Sequence, residues 1–158
     1  MFSLDFEEHL TGYGVKKAAF TTFFRRGMKI LKREGKLTKL SSGGTVHLVM
    51  VSDSQIAELN SQYRQKNTPT DVLSFSYFDE TSFPGENLIG EIAISLPTAK
   101  KQAKEHRKSL LQETQFLFIH GLLHVFGYDH EEADERKIMF DLQDEIWGTN
   151  EWRKLIEA

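Results

Sequence analysis

Apolar positions recur at three- and four-residue intervals in several parts of the chain, and this period predicts helices. In the first such segment, residues 14–33, basic side chains fall on a different face from the apolar ones. Asp53 precedes the second segment as an expected N-cap, with Ile56, Leu59 and Tyr63 on the packed side of its helix. The same period predicts helices at 98–108, 110–126 and 134–147. The last helix should bury a stripe formed by Ile138, Leu142 and Ile146.

Short β-branched or alternating runs predict three strands, at residues 45–51, 72–77 and 88–96, and a fourth within 2–6. The run at 88–96 has apolar members on both faces, so it should be covered on two sides. Residues 41–44 form an expected connector, and residues 67–71 an expected loop around Pro69. Helices and strands are interspersed, which predicts an α/β or α+β fold with a small mixed β-sheet packed with helices.

Length and composition indicate one globular domain over residues 1–158. The chain is 39% hydrophobic and 27% charged, and none of its apolar runs is long enough to span a bilayer. The N-terminus carries Asp5, Glu7 and Glu8 where a secretory signal would need a basic start. The absence of cysteine excludes disulfides, thiolate metal sites and cysteine nucleophiles. A cytoplasmic protein without a membrane partner is expected.

Charge is distributed unevenly, although the net charge is only -3. Residues 13–39 contain nine Lys or Arg and one acid, whereas residues 129–158 contain ten acids and four bases. A chain polarised in this way can bind a polyanion on one face while it remains acidic overall. A solvated helix surface is the alternative explanation of the basic segment.

Three of the six histidines, His120, His124 and His130, lie close together in the sequence. On a helix, residues four apart lie one turn apart on nearly the same face, so the first two imidazoles can reach one ion. Gly127 permits a left-handed turn that brings His130 back to the same point. Core histidines would explain one of these residues, but three at this spacing predict a metal site.

A site of three imidazoles with a vacant position is typical of catalytic zinc, whereas structural zinc is normally closed by four ligands. We expect one Zn²⁺ per chain; nickel, copper and iron also accept imidazole ligands. The spacing also resembles the metzincin proteases, which carry a glutamate as general base directly after the first histidine. That position is Gly121 here, so a metal-dependent hydrolase of another kind is favoured.

Further polar motifs precede the histidines in the chain. They are Tyr63-Arg64, Pro69-Thr70-Asp71-Val72-Leu73-Ser74-Phe75 and Gly90-Glu91-Ile92-Ala93-Ile94-Ser95. Together with the histidine motif ending Gly127-Tyr128-Asp129-His130, these segments closely resemble the YbeY family of bacterial endoribonucleases. The resemblance implies a zinc-dependent, single-strand-specific endoribonuclease that acts in small-subunit ribosomal RNA maturation and ribosome quality control. Ribosomal RNA and the small ribosomal subunit with its proteins are the implied partners.

The resemblance places the family's functional arginine on Arg64. From the residues alone, its guanidinium can either bind a phosphate or pair with helix carbonyls or Asp71. Arg64 and His124 are therefore the expected catalytic residues. Asp129 and Glu131 are candidates for orienting a histidine or for the general base. Candidates for binding the RNA backbone are Arg25, Lys29, Lys32, Lys100, Lys104 and Arg107.

Two other functions remain open from the sequence. The chain can be a ribosome-associated assembly factor in which the metal stabilises the fold. It can also be a zinc hydrolase acting on another class of substrate.

Overall fold

A four-stranded mixed sheet lies at the centre of the computed structural model, which describes residues 1–40, 42–64, 70–78 and 87–148, except for the side chain of Arg64. The strands are β1 (Phe2–Glu8), β2 (Gly44–Val51), β3 (Val72–Ser76) and β4 (Leu88–Ser95). Their order is β1-β2-β4-β3; β1, β2 and β4 run parallel, and β3 is antiparallel to β4. The predicted mixed sheet is confirmed, including its N-terminal strand.

Five α-helices accompany the sheet in the described residues. They are α1 (Ala18–Arg33), α2 (Asp53–Arg64), α3 (Leu96–Glu105), α4 (Leu110–Val125) and α5 (Ala133–Trp147). Helix α3 begins two residues earlier than predicted, because Ser95 caps it by accepting a hydrogen bond from the Thr98 amide. The expected loop at 67–71 and the connector at 41–44 lie partly outside the described residues. No helix within the described ranges combines the length and apolar character needed to span a membrane.

Both faces of the central strands are buried. Val46, Leu48 and Met50 of β2 belong to the larger core, which also contains residues of α1, α4 and α5. Val49 and Val51 of the same strand belong to a smaller core with Ile56 of α2. Strand β4 alternates in the same way, which confirms the predicted burial of that strand on two faces.

The buried stripe of α5 differs from the predicted one. Ile138 is 53% exposed, whereas Met139 is fully buried together with Ile146 and the nearly buried Leu142. Both Ile138 and Met139 fit a helical period that contains Leu142 and Ile146, so the period alone does not distinguish them.

Two predictions for α2 were wrong. Ser52 caps the helix, since its hydroxyl accepts a hydrogen bond from the Gln55 amide at 3.2 Å. Asp53 instead accepts hydrogen bonds from the hydroxyls of Ser95 and Thr98, both at 2.6 Å, and so joins α2 to the β4–α3 junction. Tyr63 is 63% exposed rather than packed, although its ring lies 4.9 Å from that of Phe75.

Helix α4 lies very close to the sheet at Gly121. A Cβ atom at this position would lie 2.9 Å from Cγ2 of Ile92 on β4 and 3.4 Å from Cγ2 of Val72 on β3. Position 121 therefore faces the sheet. A glutamate there would enter the core, which explains physically why the protease-type general base has no place on this helix.

We expect Gly121→Ala to lower the free energy of unfolding by about 1–2 kcal/mol net. Overpacking against Ile92 should outweigh the helix propensity of about 1 kcal/mol that alanine gains over glycine. Chemical denaturation measures the change, with Leu111→Ala at a partly exposed position of α4 as a control. A more stable Gly121→Ala protein would show that the helix can move away from the sheet without loss.

Candidate metal centre

The three predicted histidines meet at one end of α4. His120 and His124 lie on its last turns, and His130 lies in the segment that follows. One ligand atom from each residue lies within 4.8 Å of the others. The ring centroid of His130 is 5.2 Å from that of His120 and 5.3 Å from that of His124. The side chains thus form a compact group of three potential nitrogen ligands.

Backbone geometry after α4 brings His130 to the other two imidazoles. Gly127 has a φ of 93°, the left-handed conformation that the sequence predicted for it. The amide of Gly127 donates to the His124 carbonyl, and that of Tyr128 donates to the Leu123 carbonyl. The carboxylate of Asp129 then accepts a 2.8 Å hydrogen bond from the backbone amide of His130. The two backbone bonds hold the returning chain against the helix end, and the bond from His130 to Asp129 orders the turn that carries His130.

Two of the imidazoles are held through Nδ1, which leaves Nε2 for the shared centre. Nδ1 of His120 lies 2.6 Å from Oε1 of Gln143, and Nδ1 of His124 lies 2.8 Å from the Tyr128 carbonyl oxygen. A carbonyl oxygen only accepts, so Nδ1 of His124 donates and Nε2 of the neutral ring keeps its lone pair. With Oε1 of Gln143 as the acceptor, Nδ1 of His120 also donates and Nε2 of that ring also keeps its lone pair.

The donor set fits a divalent cation. The Nε2 atoms of His120 and His124 lie 3.0 Å apart, and two lone pairs at that distance repel unless a cation accepts both. Burial, and next the charge of neighbouring His124, lower the pKa of His120 to about 4. The ring is therefore neutral near pH 7, which is the form that binds a metal.

An open pocket of about 530 Å³ lies beside the imidazoles. Helix α4, strand β3 and the segment after α4 supply its walls. Asp71, Val72, Ser74, Ser76, His120, His124, Gly127, Tyr128, Asp129, His130 and Glu131 line it. A substrate can therefore reach the group of histidines from one side, as a catalytic site requires.

The structure places Asp129 and Glu131 in the pocket, next to His130 in the chain. Asp129 bonds to a backbone amide, so it fixes the loop rather than an imidazole ring. Arg64 ends α2, and its side chain lies outside the described residues. The RNA-binding candidates lie elsewhere and are all exposed. Arg25, Lys29 and Lys32 lie on α1, Lys100 and Lys104 lie on α3, and Arg107 follows α3.

Sequence reasoning assigned no site role to Asp71, Ser74 or Ser76, all of which line the pocket. The negative charge of Asp71 also favours the protonated form of His120, although burial outweighs it. The alternation of β3 is a signal that identifies Ser74 and Ser76, because they share a strand face with Val72. Gln143 was missed as well, since it lies within the buried stripe of α5.

We expect Gln143→Leu to weaken zinc binding by about 10- to 100-fold, because the imidazole of His120 would lose the acceptor that fixes its tautomer. Gln143→Glu keeps an acceptor oxygen and should retain most of the affinity. Competition with a chromogenic chelator measures the affinity, and ¹⁵N chemical shifts report the tautomer of His120. Equal affinity in the wild type and Gln143→Leu would show that packing alone positions this ring.

Fold and site together define a small α+β protein whose metal-binding histidine triad opens into a pocket. The family model for endoribonuclease YbeY matches residues 7–151. The chain belongs to this YbeY family of endoribonucleases, which confirms the predicted family and class of enzyme.

Curated relatives and a solved structure agree with this assignment. Endoribonuclease YbeY of Aster yellows witches'-broom phytoplasma is 50% identical over 103 residues, covering 64% of this chain and 70% of the relative. That of Pelotomaculum thermopropionicum is 41% identical over 127 residues, covering 78% and 81%. The solution structure of TM1509 from Thermotoga maritima, at 28% identity, matches 96% of this chain and 92% of its own with a TM-score of 0.56. The predicted fold class is thereby confirmed.

Proposed function

We propose that this chain is a zinc-dependent endoribonuclease that cleaves single-stranded RNA, with one ion held by His120, His124 and His130. The observation that carries the proposal is the convergence of three imidazoles, two of them held through Nδ1, in an open pocket. Family membership supplies the class of reaction. Zinc is chosen because an open site of three nitrogen ligands is its common catalytic environment.

The biological task we propose is maturation of small-subunit ribosomal RNA and ribosome quality control in the cytoplasm. Ribosomal RNA, the small subunit and its proteins would then be the partners. The support is membership of the endoribonuclease family together with an exposed basic surface on α1 and α3.

In this mechanism the pocket residues position a phosphodiester beside the three histidines. When bound, zinc supplies a Lewis acid and a water molecule of lowered pKa. Gln143 and the Tyr128 carbonyl hold the imidazoles in the ligand tautomer. The pocket carboxylates of Asp71, Asp129 and Glu131 are the candidates to accept the proton of the attacking water.

Arg64 is proposed to offset the negative charge that builds on the phosphoryl oxygens during attack. It ends α2, and Asp71, seven residues later in the sequence, lines the pocket. A guanidinium suits this role because it presents two parallel N–H donors to phosphate oxygens. The exposed bases of α1 and α3 are proposed to bind the RNA backbone away from the cut.

Removal of one ligand tests the metal-dependent reaction. We expect His124→Ala to lose zinc and to cleave a single-stranded oligonucleotide more than about 100-fold more slowly than the wild type. The decrease should exceed the roughly 100-fold that follows when only a hydrogen-bond partner of a metal ligand is removed. EDTA should lower the activity of the wild type to that of His124→Ala. His9→Ala removes an exposed histidine outside the pocket and should keep both metal and activity. Parallel preparations control for contaminating ribonucleases.

The same samples separate the proposal from its rivals. A His124→Ala protein that cleaves RNA like the wild type would refute the catalytic site. An assembly factor with a structural metal would be favoured if the wild type sediments with ribosomes but does not cleave RNA. In that case His124→Ala should lose zinc and thermal stability only. Hydrolysis of another class of ester or amide by a metal-loaded protein that leaves RNA intact would favour the other hydrolase.

A second variant tests Arg64. We expect Arg64→Ala to lower kcat by about 10²- to 10³-fold with unchanged zinc content, because charge stabilisation in the transition state is lost. Arg64→Lys keeps the charge without the paired donors, so its kcat should lie between those of the wild type and Arg64→Ala. Single-turnover cleavage and thermal unfolding are measured together. Normal cleavage with a lower melting temperature would assign Arg64 a structural role.

A further inference from the structure

The basic residues of α1 divide into two sets, one that is bonded to α5 and one that is exposed to solvent. Arg26 donates a hydrogen bond to the Ile146 carbonyl at the end of α5, and Arg33 pairs with Glu145 of α5 and with Glu34. These two arginines fasten α1 to α5. Arg25, Lys29 and Lys32 are exposed and form no ion pair within the part of the chain that the structure describes.

The second set continues into Lys36, just after the helix. Arg25, Lys29 and Lys32 follow one another at intervals of four and three residues, which places them on one side of α1, and Lys36 lies four residues further along the chain, beyond the helix end. We name these four residues the α1 basic row. Its three helical members span about 10 Å along the helix axis. The nearby acids Glu34 and Glu145 are paired with Arg33.

The α1 basic row ends at the metal pocket. The ammonium of Lys36 lies 4.9 Å from the ring centroid of Tyr128. Tyr128 belongs to the pocket wall and lies between the ligands His124 and His130 in the chain. A polyanion whose phosphate lies at the histidines can therefore pass Tyr128 and meet cations that form no ion pair with the described residues.

A groove beside the α1 basic row adds a second surface for the same chain. It has a volume of about 690 Å³, larger than the metal pocket. It runs between α1 and α5, and Lys29 and Lys32 of the row line it together with Arg26, Ile30, Arg33 and Glu145. Ile30 and the aliphatic stems of the bases give the groove apolar surface against which a flexible strand can pack.

We propose that the α1 basic row binds the phosphates of the RNA segment on one side of the cut. This inference rests on the proposed function and deepens it. The substrate leaves the pocket past Tyr128 and follows α1. The protein therefore binds the RNA segment on one side of the cleavage site much more tightly than the segment on the other side. RNA is the occupant because exposed cations that recur every three or four residues complement a chain of phosphates, and because the row continues from the site where a phosphodiester would react.

The experiment uses an RNA with a single cleavage site and trims its two flanks separately. For the wild type, trimming one flank should raise KM by about tenfold at low salt, whereas trimming the other should leave KM within twofold. Lys29→Ala/Lys32→Ala should raise KM for the full-length RNA to a similar extent and should make it insensitive to trimming. The kcat and the zinc content should stay at wild-type values.

Salt dependence supplies a second readout. Losing two phosphate contacts should reduce the slope of log KM against log salt by about 1.4, since each contact to a single strand contributes about 0.7. The control Lys137→Ala removes an exposed lysine of α5, outside the basic residues proposed to bind RNA, and should leave the slope unchanged. An equal decrease in the control, or equal sensitivity to both flanks, would overturn the proposal.

Binding in EDTA separates this inference from the proposed function. Fluorescence anisotropy with the full-length RNA gives the affinity of metal-free protein. If the wild type binds RNA through Lys29 and Lys32 but never cleaves it with zinc, the proposed function fails and the α1 basic row stands. If the wild type cleaves RNA and the double variant has unchanged KM and Kd, the proposal for the α1 basic row is wrong and the proposed function is retained. Binding of an acidic protein but not RNA would overturn the row as an RNA surface.

Discussion

The position of α4 against the sheet is the constraint on which the rest of the site depends. Gly121 lets the helix approach Ile92 closely, and the adjacent His120 then lines the pocket beside strand β3. Because His124 is one turn further along, it follows the same orientation. A helix that stood further from the sheet would move both imidazoles relative to Asp71 and the serines of β3.

Much of this arrangement follows from local sequence patterns. The interval from His120 to His124, followed by Gly127, specifies a helix turn and a left-handed reversal, and both depend on a few neighbouring residues. The central strands can be predicted in the same way, since their apolar residues lie on both faces. Such features can be predicted because the chemistry that determines them is encoded within about ten residues.

The features that the sequence did not reveal depend on contacts between distant segments. Asp53 has the residue type and position of a cap, but the hydroxyls of Ser95 and Thr98 are its actual partners. Gln143 meets His120 because α5 packs against α4, and Asp71 lies near the histidines because β3 packs against α4. The register of α5 was misjudged since neighbouring apolar residues satisfy one helical period. The side chain of Arg64 lies outside the described residues, so its role stays a prediction.

The hydrogen bond from His120 to Gln143 connects the metal centre to a helix that contributes no metal ligand. Through this bond, docking of α5 and occupancy of the ion site become thermodynamically linked, and each must stabilise the other by the same coupling free energy. The arginines that fasten α1 to α5 extend the linkage to the N-terminal helix. Loading the ion is thus also a step in consolidating the helical layer, and depletion of the metal would loosen helices far from the imidazoles.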